Sequence, residues 1–191
     1  MQKLKLGVPK KIEEYDDLNV KKLKIGLRHS AVITEEGQLY TYGNGNWGVL
    51  GHGNEKNIRV NEPKRVEAFE NKQVVDVAIG QYFTLALTSD GNVWTWGYGG
   101  KQGYFNWMYA QEVGALGHGT IESNFAPKKV QYFQEKGLKV TQIAAGDQHA
   151  VVVCDDGNLY NWGVGLYGIL GNGTNDYALS PTLNEEFSYL K

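Results

Sequence analysis

The chain has 191 residues, enough for one substantial domain, and its 41% apolar residues, 21% charged residues and 25 glycines give a globular, turn-rich profile. Nineteen basic against twenty-one acidic residues leave a net charge of −2, which removes any bulk electrostatic case for nucleic acid or an anionic membrane. No apolar run approaches the ~20 residues of a membrane span, and the single cysteine, Cys154, cannot form a disulfide framework or a cysteine zinc site within the chain.

Residues 1–19 carry neither a signal-peptide core nor an arginine-rich transit pattern. The expected location is therefore intracellular, cytosolic or nuclear by default, with an organelle open after processing. Lys3, Lys5, Lys10, Lys11, Lys21, Lys22 and Lys24 gather near the start, but Glu13, Glu14, Asp16 and Asp17 interrupt them, no arginine is interleaved and Tyr15 is the one aromatic among them. That pattern suits a solvated edge whose lysines discourage strand association better than it suits a nucleic-acid site. Pro9-Lys10-Lys11-Ile12 has the form of a strand that closes a preceding unit.

From Gly26 onward one pattern returns three times. Gly26, Gly37, Gly43 and Gly51 match Gly80, Gly91, Gly97 and Gly117, and then Gly146, Gly157, Gly163 and Gly171. Each copy opens on an apolar stretch, as in 74–79 and 140–145, and continues into a β-branched run at 30–34, 84–88 and 150–154. Acidic turns carrying Gly37, Gly91 and Gly157 then reverse the chain as tight hairpins. The strands that leave them alternate, placing Tyr40 and Tyr42, Trp94 and Trp96, and Tyr160 and Trp162 on one face of their strands. Large rings at the same place in every unit are what one sheet uses to pack on the next. Proline-led strands at Pro63–Val66 and Pro127–Val130 close the units, and Pro181-Thr182-Leu183-Asn184 is a weaker version.

Four short strands per ~50-residue unit predict an all-β chain, a partial β-propeller of three to four blades built from four-stranded antiparallel sheets. The expected units are residues 9–62, 63–126 and 127–183 of a single domain, with 184–191 as a C-terminal tail. The middle unit carries an insertion at 100–111 that includes Tyr104, Phe105, Trp107, Met108 and Tyr109. Exposed Trp, Tyr and Met anchor interfaces because they bury much area with few rotors, so these five are the candidate partner-binding residues. The alternative is that the loop folds back over the propeller's own exposed end.

Several apparent chemical motifs are periodic and lose their force. Residues 43–48 and 163–168 both satisfy G-x-G-x-x-G after a strand, but neither leads into a helix that could receive a pyrophosphate, so no cofactor is expected. His29 and His149 share one repeat position and His52 and His118 another, which spreads imidazoles around the arc instead of gathering them on a metal. Their ring nitrogens are expected to satisfy backbone groups in buried turns. No serine or cysteine nucleophile stands beside its own base, so neither catalytic nor metal residues are assigned.

Gly26-Leu27-Arg28-His29-Ser30 through Tyr42-Gly43, and Gly146-Asp147-Gln148-His149 through Trp162-Gly163, resemble the repeat of the regulator of chromosome condensation family, with Phe83 replacing histidine in the middle copy. The resemblance covers residues 9 to 183 and implies a ring that in the family has seven blades. Three units make about half of it, which leaves three readings: a piece of a longer protein, a half-ring completed by another copy or chain, or an arc docked into a large assembly. Met1 points toward a natural short chain.

The function expected is a non-catalytic interaction or scaffold module inside a larger complex, with other protein subunits as partners. The resemblance also implies an alternative, guanine-nucleotide exchange on a small GTPase, and a second, association with chromatin. Exchange-competent members carry an acidic residue in a G-x-D-H loop and extend a loop in one blade as a wedge. Arg28, Tyr82 and Gln148 stand at the acidic position, leaving Asp147, one residue earlier, as the only substitute. A light-sensing branch carries tryptophan where Leu27, Gln81 and Asp147 stand, which excludes that activity.

Overall fold

The structure is a computed structural model that describes residues 18–53, 59–100 and 114–188. Three four-stranded antiparallel sheets follow one another, each with its strands in chain order. The first blade holds β1 (Val20–Ile25), β2 (His29–Thr34), β3 (Leu39–Asn44) and β4 (Arg59–Arg65). The second holds β5 (Val74–Ile79), β6 (Phe83–Thr88), β7 (Val93–Gly97) and β8 (Asn124–Lys129). The third holds β9 (Val140–Ala145), β10 (His149–Cys154), β11 (Leu159–Gly163) and β12 (Ala178–Leu183). This is the partial propeller that the glycine pattern predicts.

The outermost strands begin earlier than expected. β4, β8 and β12 each carry their proline in the interior, at Pro63, Pro127 and Pro181. Proline cannot donate to a ladder, so an edge strand with a break in pairing is where it fits. The break is present in all three blades, where register slips between Thr41 and Gly43, Thr95 and Gly97, and Asn161 and Gly163. Boundaries at 62/63 and 126/127 therefore fall inside β4 and β8, and the sequence units are offset from the sheets. These strands pair with β3 and β7 before them in the chain, not with the unit that follows.

Packing follows from which face each strand turns to its neighbour. β1, β5 and β9 lie side by side along the inner side of the arc. β6, in the middle blade, is buried at every position, whereas β10 alternates between half-buried and buried residues because one of its faces meets no further blade among the described residues. Ala31, Ile33 and Leu39 of the first blade pack with Val77, Ala86 and Trp96 of the second. Phe83, Leu85 and Leu87 of the second pack with Ala150, Val152, Tyr160 and Trp162 of the third. The ring-bearing face of each blade thus turns toward the blade before it. Lys22 and Lys24 lie within 3.3 and 3.7 Å of Asp76, so these two lysines link the inner strands of the first two blades.

Phe69, in a 3₁₀ turn between the first two blades, and Phe133, in the short helix α1 (Gln131–Glu135), wedge between adjacent sheets. Phe69 sits 5.6 Å from Trp94 and 5.9 Å from Trp96, and Phe133 sits 5.8 Å from Tyr160 and 6.1 Å from Trp162. Each is only 2% exposed. A second short helix, α2 (Glu185–Ser188), lies in the segment expected as a tail.

Candidate protein-binding face

A four-residue stitch joins the first two blades. The indole Nε1 of Trp96 donates to the Val49 carbonyl at 2.8 Å, and the Thr84 hydroxyl donates to the same oxygen at 2.9 Å. That hydroxyl has one proton and has spent it, so it accepts from His29 Nε2 at 2.8 Å, which fixes the neutral tautomer with hydrogen on Nε2. His29 Nδ1 is buried without a partner, and burial pulls the imidazole down to about 4. The second junction keeps only the indole arm: Trp162 Nε1 donates to Ala115 O at 2.8 Å, while Phe83 stands where His29 does and Ala150 where Thr84 does.

His52 and His118 pair with hydroxyls as well, Thr41 at 3.2 Å and Thr95 at 3.0 Å, and burial pulls both imidazoles down to about 4. Three histidines therefore pair with threonine hydroxyls, and of these His118 also meets a backbone group, that of Thr95, as expected. The threonines bridge onward to the Leu50 and Leu116 carbonyls of their own blades at 2.7 and 2.6 Å. In the third blade Asn161 replaces the threonine and reaches the Leu170 carbonyl directly, and Asn172 replaces the histidine. Among the described residues no three His, Cys, Asp or Glu side chains gather as metal ligands. Cys154 is buried with its thiol pushed up to about 12 by burial and by Asp156 and Asp155, so it is a packing residue and not a nucleophile.

The loops at the ends opposite the hairpins gather different chemistry. Arg28 stacks on Tyr82 at 5.1 Å from the ring centroid and donates from Nη2 to its phenol oxygen at 3.3 Å. Tyr82 meets Tyr98 edge-on at 6.4 Å, and Tyr98 meets Trp47 at 5.0 Å, so the cluster crosses from the first blade to the second. Burial pushes the Tyr98 phenol up. Leu27 beside it is 78% exposed. The G-x-G-x-x-G turns form single 3₁₀ turns in which Trp47 and Tyr167 take φ of 65° and 59°, and no helix follows them.

The insertion leaves this same end of the second blade. Tyr104, Phe105, Trp107, Met108 and Tyr109 lie outside the described residues, but both stems are placed. Gly99 N donates to Ser123 Oγ at 3.1 Å, and Gly114 packs against Leu179 of β12, so the segment starts on the second blade and ends where the second and third blades meet. Asp147 is exposed on this end, and its carbonyl accepts from Gln81 N at 3.0 Å, tying the loops of those blades together. Missing from the sequence reading were the wedges Phe69 and Phe133; the shared spacing P-x-x-V-x-x-F at 63–69 and 127–133 was the available signal.

The sequence profile of the regulator of chromosome condensation (RCC1) repeat matches residues 36–87 and 110–153, just over half of the chain. The chain belongs to the RCC1 repeat family. A second profile of the same repeat matches 74–102 and 140–169. The E3 ubiquitin-protein ligase HERC2 of Homo sapiens is 35% identical over 91% of this chain, which spans 3% of that protein. The ultraviolet-B receptor UVR8 of Arabidopsis thaliana is 31% identical over 91% of the chain, which spans 36% of it. Among solved RCC1 propellers, Prp20p of Saccharomyces cerevisiae superposes with a TM-score of 0.68 and 26% identity, over 87% of this chain and 38% of that one. The chain is thus an RCC1 arc well under half the length of these relatives. Among its described residues no helix is long and apolar enough to cross a membrane.

Proposed function

We propose that this arc is a non-catalytic protein-interaction module, a component of a larger assembly, that docks its partner on the loop end of the blades, around the insertion in the second. The observation that carries the reading is the ring and guanidinium cluster of Arg28, Tyr82, Tyr98 and Trp47, whose Tyr98 immediately precedes the first stem of an insertion holding four aromatics and a methionine. Arginine and aromatic side chains dominate binding energy where they can be fully covered, and the packed scaffold beneath holds them in place. Partner co-purification with the native protein, compared with the Trp107→Ala, Tyr109→Ala double variant, tests it. A loss of partner with an unchanged melting temperature is expected; undiminished recovery would overturn the assignment.

A second reading has one specific support. Prp20p, 26% identical, has a solved structure described together with its binding to Gsp1p and histones, and Asp147 is an exposed carboxylate on the loop end of this arc. Nucleotide release from a panel of small GTPases, lost on Asp147→Asn, would establish exchange activity in place of passive docking. Release equal to the spontaneous rate excludes it.

A further inference from the structure

The two junctions between blades differ at one corner beside the outer strands. Gly53 N donates to the Phe125 carbonyl of β8 at 2.9 Å, as Gly119 N does to the Leu179 carbonyl of β12 at 2.9 Å. Next to these bonds Ser180 Oγ stands 3.2 Å from where a Cβ on Gly119 would lie, whereas a Cβ on Gly53 would meet nothing within 4 Å, because Ala126 takes the place of the serine. Ala68 likewise stands where the second junction has Tyr132, whose ring packs on Phe133 and Tyr160 at 5.5 and 6.0 Å. Two small residues thus border a cavity of about 220 Å³ between the first two blades, lined by His52, Gly53, Lys64, Glu67, Ala68 and Ala126.

Three polar groups in this lining have bonding capacity to spare. Thr41 spends its hydroxyl proton on the Leu50 carbonyl at 2.7 Å, so its contact with His52 at 3.2 Å is donated by the imidazole Nε2, and Nδ1 keeps its lone pair. The Lys64 and Glu67 side chains are exposed and, among the described residues, neither forms an ion pair with the other or with a third group. Both act on the imidazole: burial is the first cause of its lowered pKa, Lys64 lowers it further and Glu67 raises it. The second junction has Gln131 in place of Glu67, so only the first sets a cation, an anion and a neutral acceptor around one space.

We propose that this cavity binds a small zwitterion of the α-amino acid type, free or as the first residue of a peptide chain. Glu67 and His52 Nδ1 accept from the α-ammonium, Lys64 donates to the neighbouring carboxylate or carbonyl oxygen, and a small apolar side chain lies against Ala68 and Ala126. A simple anion would turn its lone pairs on Glu67 and Nδ1, and a simple cation would oppose Lys64, so only a ligand with both functions satisfies all three groups. The volume falls below the ~300–1,000 Å³ of pockets for drug-sized molecules, which limits the bound side chain to one such as that of alanine or valine. The site shares no residue with the ring cluster of Arg28, Tyr82, Tyr98 and Trp47.

Amide NMR spectra of the full chain titrated with L-alanine test this. Saturable shifts centred on residues 51–53, 64–68 and 126 are expected in the millimolar range, and N-acetylalanine, which has no ammonium, should leave those amides unmoved. Glu67→Gln and Lys64→Met, at exposed positions, should each weaken alanine binding at least tenfold with the melting temperature unchanged, and Ala68→Tyr combined with Ala126→Ser, the residues of the second junction, should abolish it. Alaninamide, which keeps the ammonium and the carbonyl but has no carboxylate, separates the two sources: binding equal to that of alanine identifies a peptide terminus, and binding at least tenfold weaker identifies a free amino acid. No shifts at 50 mM with either alanine or alaninamide, equal shifts with N-acetylalanine, or binding indifferent to both charge substitutions would each overturn the proposal.

Discussion

Gly51 and Gly53 share a φ of 77° and lie two residues apart in the same loop, yet an alanine Cβ at Gly51 would come 2.8 Å from Trp96 Nε1, while one at Gly53 meets nothing within 4 Å. Gly53→Ala therefore reports the left-handed backbone alone, about 1 kcal/mol. Gly51→Ala adds a clash with the indole that donates to the Val49 carbonyl, so the ring must shift and lengthen a buried hydrogen bond. Overpacking of a tight core costs about 1–3 kcal/mol and a buried hydrogen bond about 1 kcal/mol, which puts Gly51→Ala some 2–4 kcal/mol below Gly53→Ala. For a chain of this size that gap is about 4–16 °C in melting temperature. Urea unfolding followed by tryptophan fluorescence, with thermal melts alongside, measures both. Equal losses within about 0.5 kcal/mol, the usual spread of surface changes, would show that the indole does not join the blades in this way.

Phe133→Ala removes a ring packed against Tyr160 and Trp162 and should cost about 3–5 kcal/mol in urea unfolding, whereas Phe187→Ala, on a half-exposed ring, should cost under 1 kcal/mol in the isolated chain. His29 is held neutral from an ordinary 6.5 down to about 4, so between these values the unfolded chain takes up a proton that the folded chain refuses. Stability is complete above about pH 6.5 and falls as pH drops toward 4, by about 3 kcal/mol for this residue, and His29→Gln should flatten that slope in a pH series of urea melts. The buried Cys154 thiol, pushed up to about 12, should resist iodoacetamide at pH 8 in the folded protein and react within minutes once urea unfolds it. Rapid labelling without denaturant would contradict its burial.

Much of the fold is legible because every blade states it again. The glycine spacing, the alternation around Trp94 and Trp96, and the acidic hairpins each occur in triplicate, so strand order and pairing follow from local pattern alone. What the pattern hides is anything that depends on the neighbouring blade. That Thr84, and not a backbone group, receives His29 follows from the distance between two sheets, which a sequence does not display. The wedges Phe69 and Phe133 lie outside the glycine motif, in the connectors 66–73 and 130–139 between one blade and the next. The prolines mislead in a simple way: Pro63, Pro127 and Pro181 look like strand starts, but an edge strand tolerates them in its interior where pairing is already broken. At the candidate site the sequence marks the aromatic insertion, but not the cluster of Arg28, Tyr82, Tyr98 and Trp47, whose members come from four loops of two blades and meet only after the sheets pack.

Hydrogen exchange of the native protein, free and with its co-purified partner bound, tests the central claim most directly. The account predicts slowed exchange at residues 26–28, 81–82 and 98–99 and at both stems of the insertion, with the hairpin turns at 35–38, 89–92 and 155–158 unchanged. Protection confined to those hairpins, with the loop end exchanging as in the free protein, would contradict it.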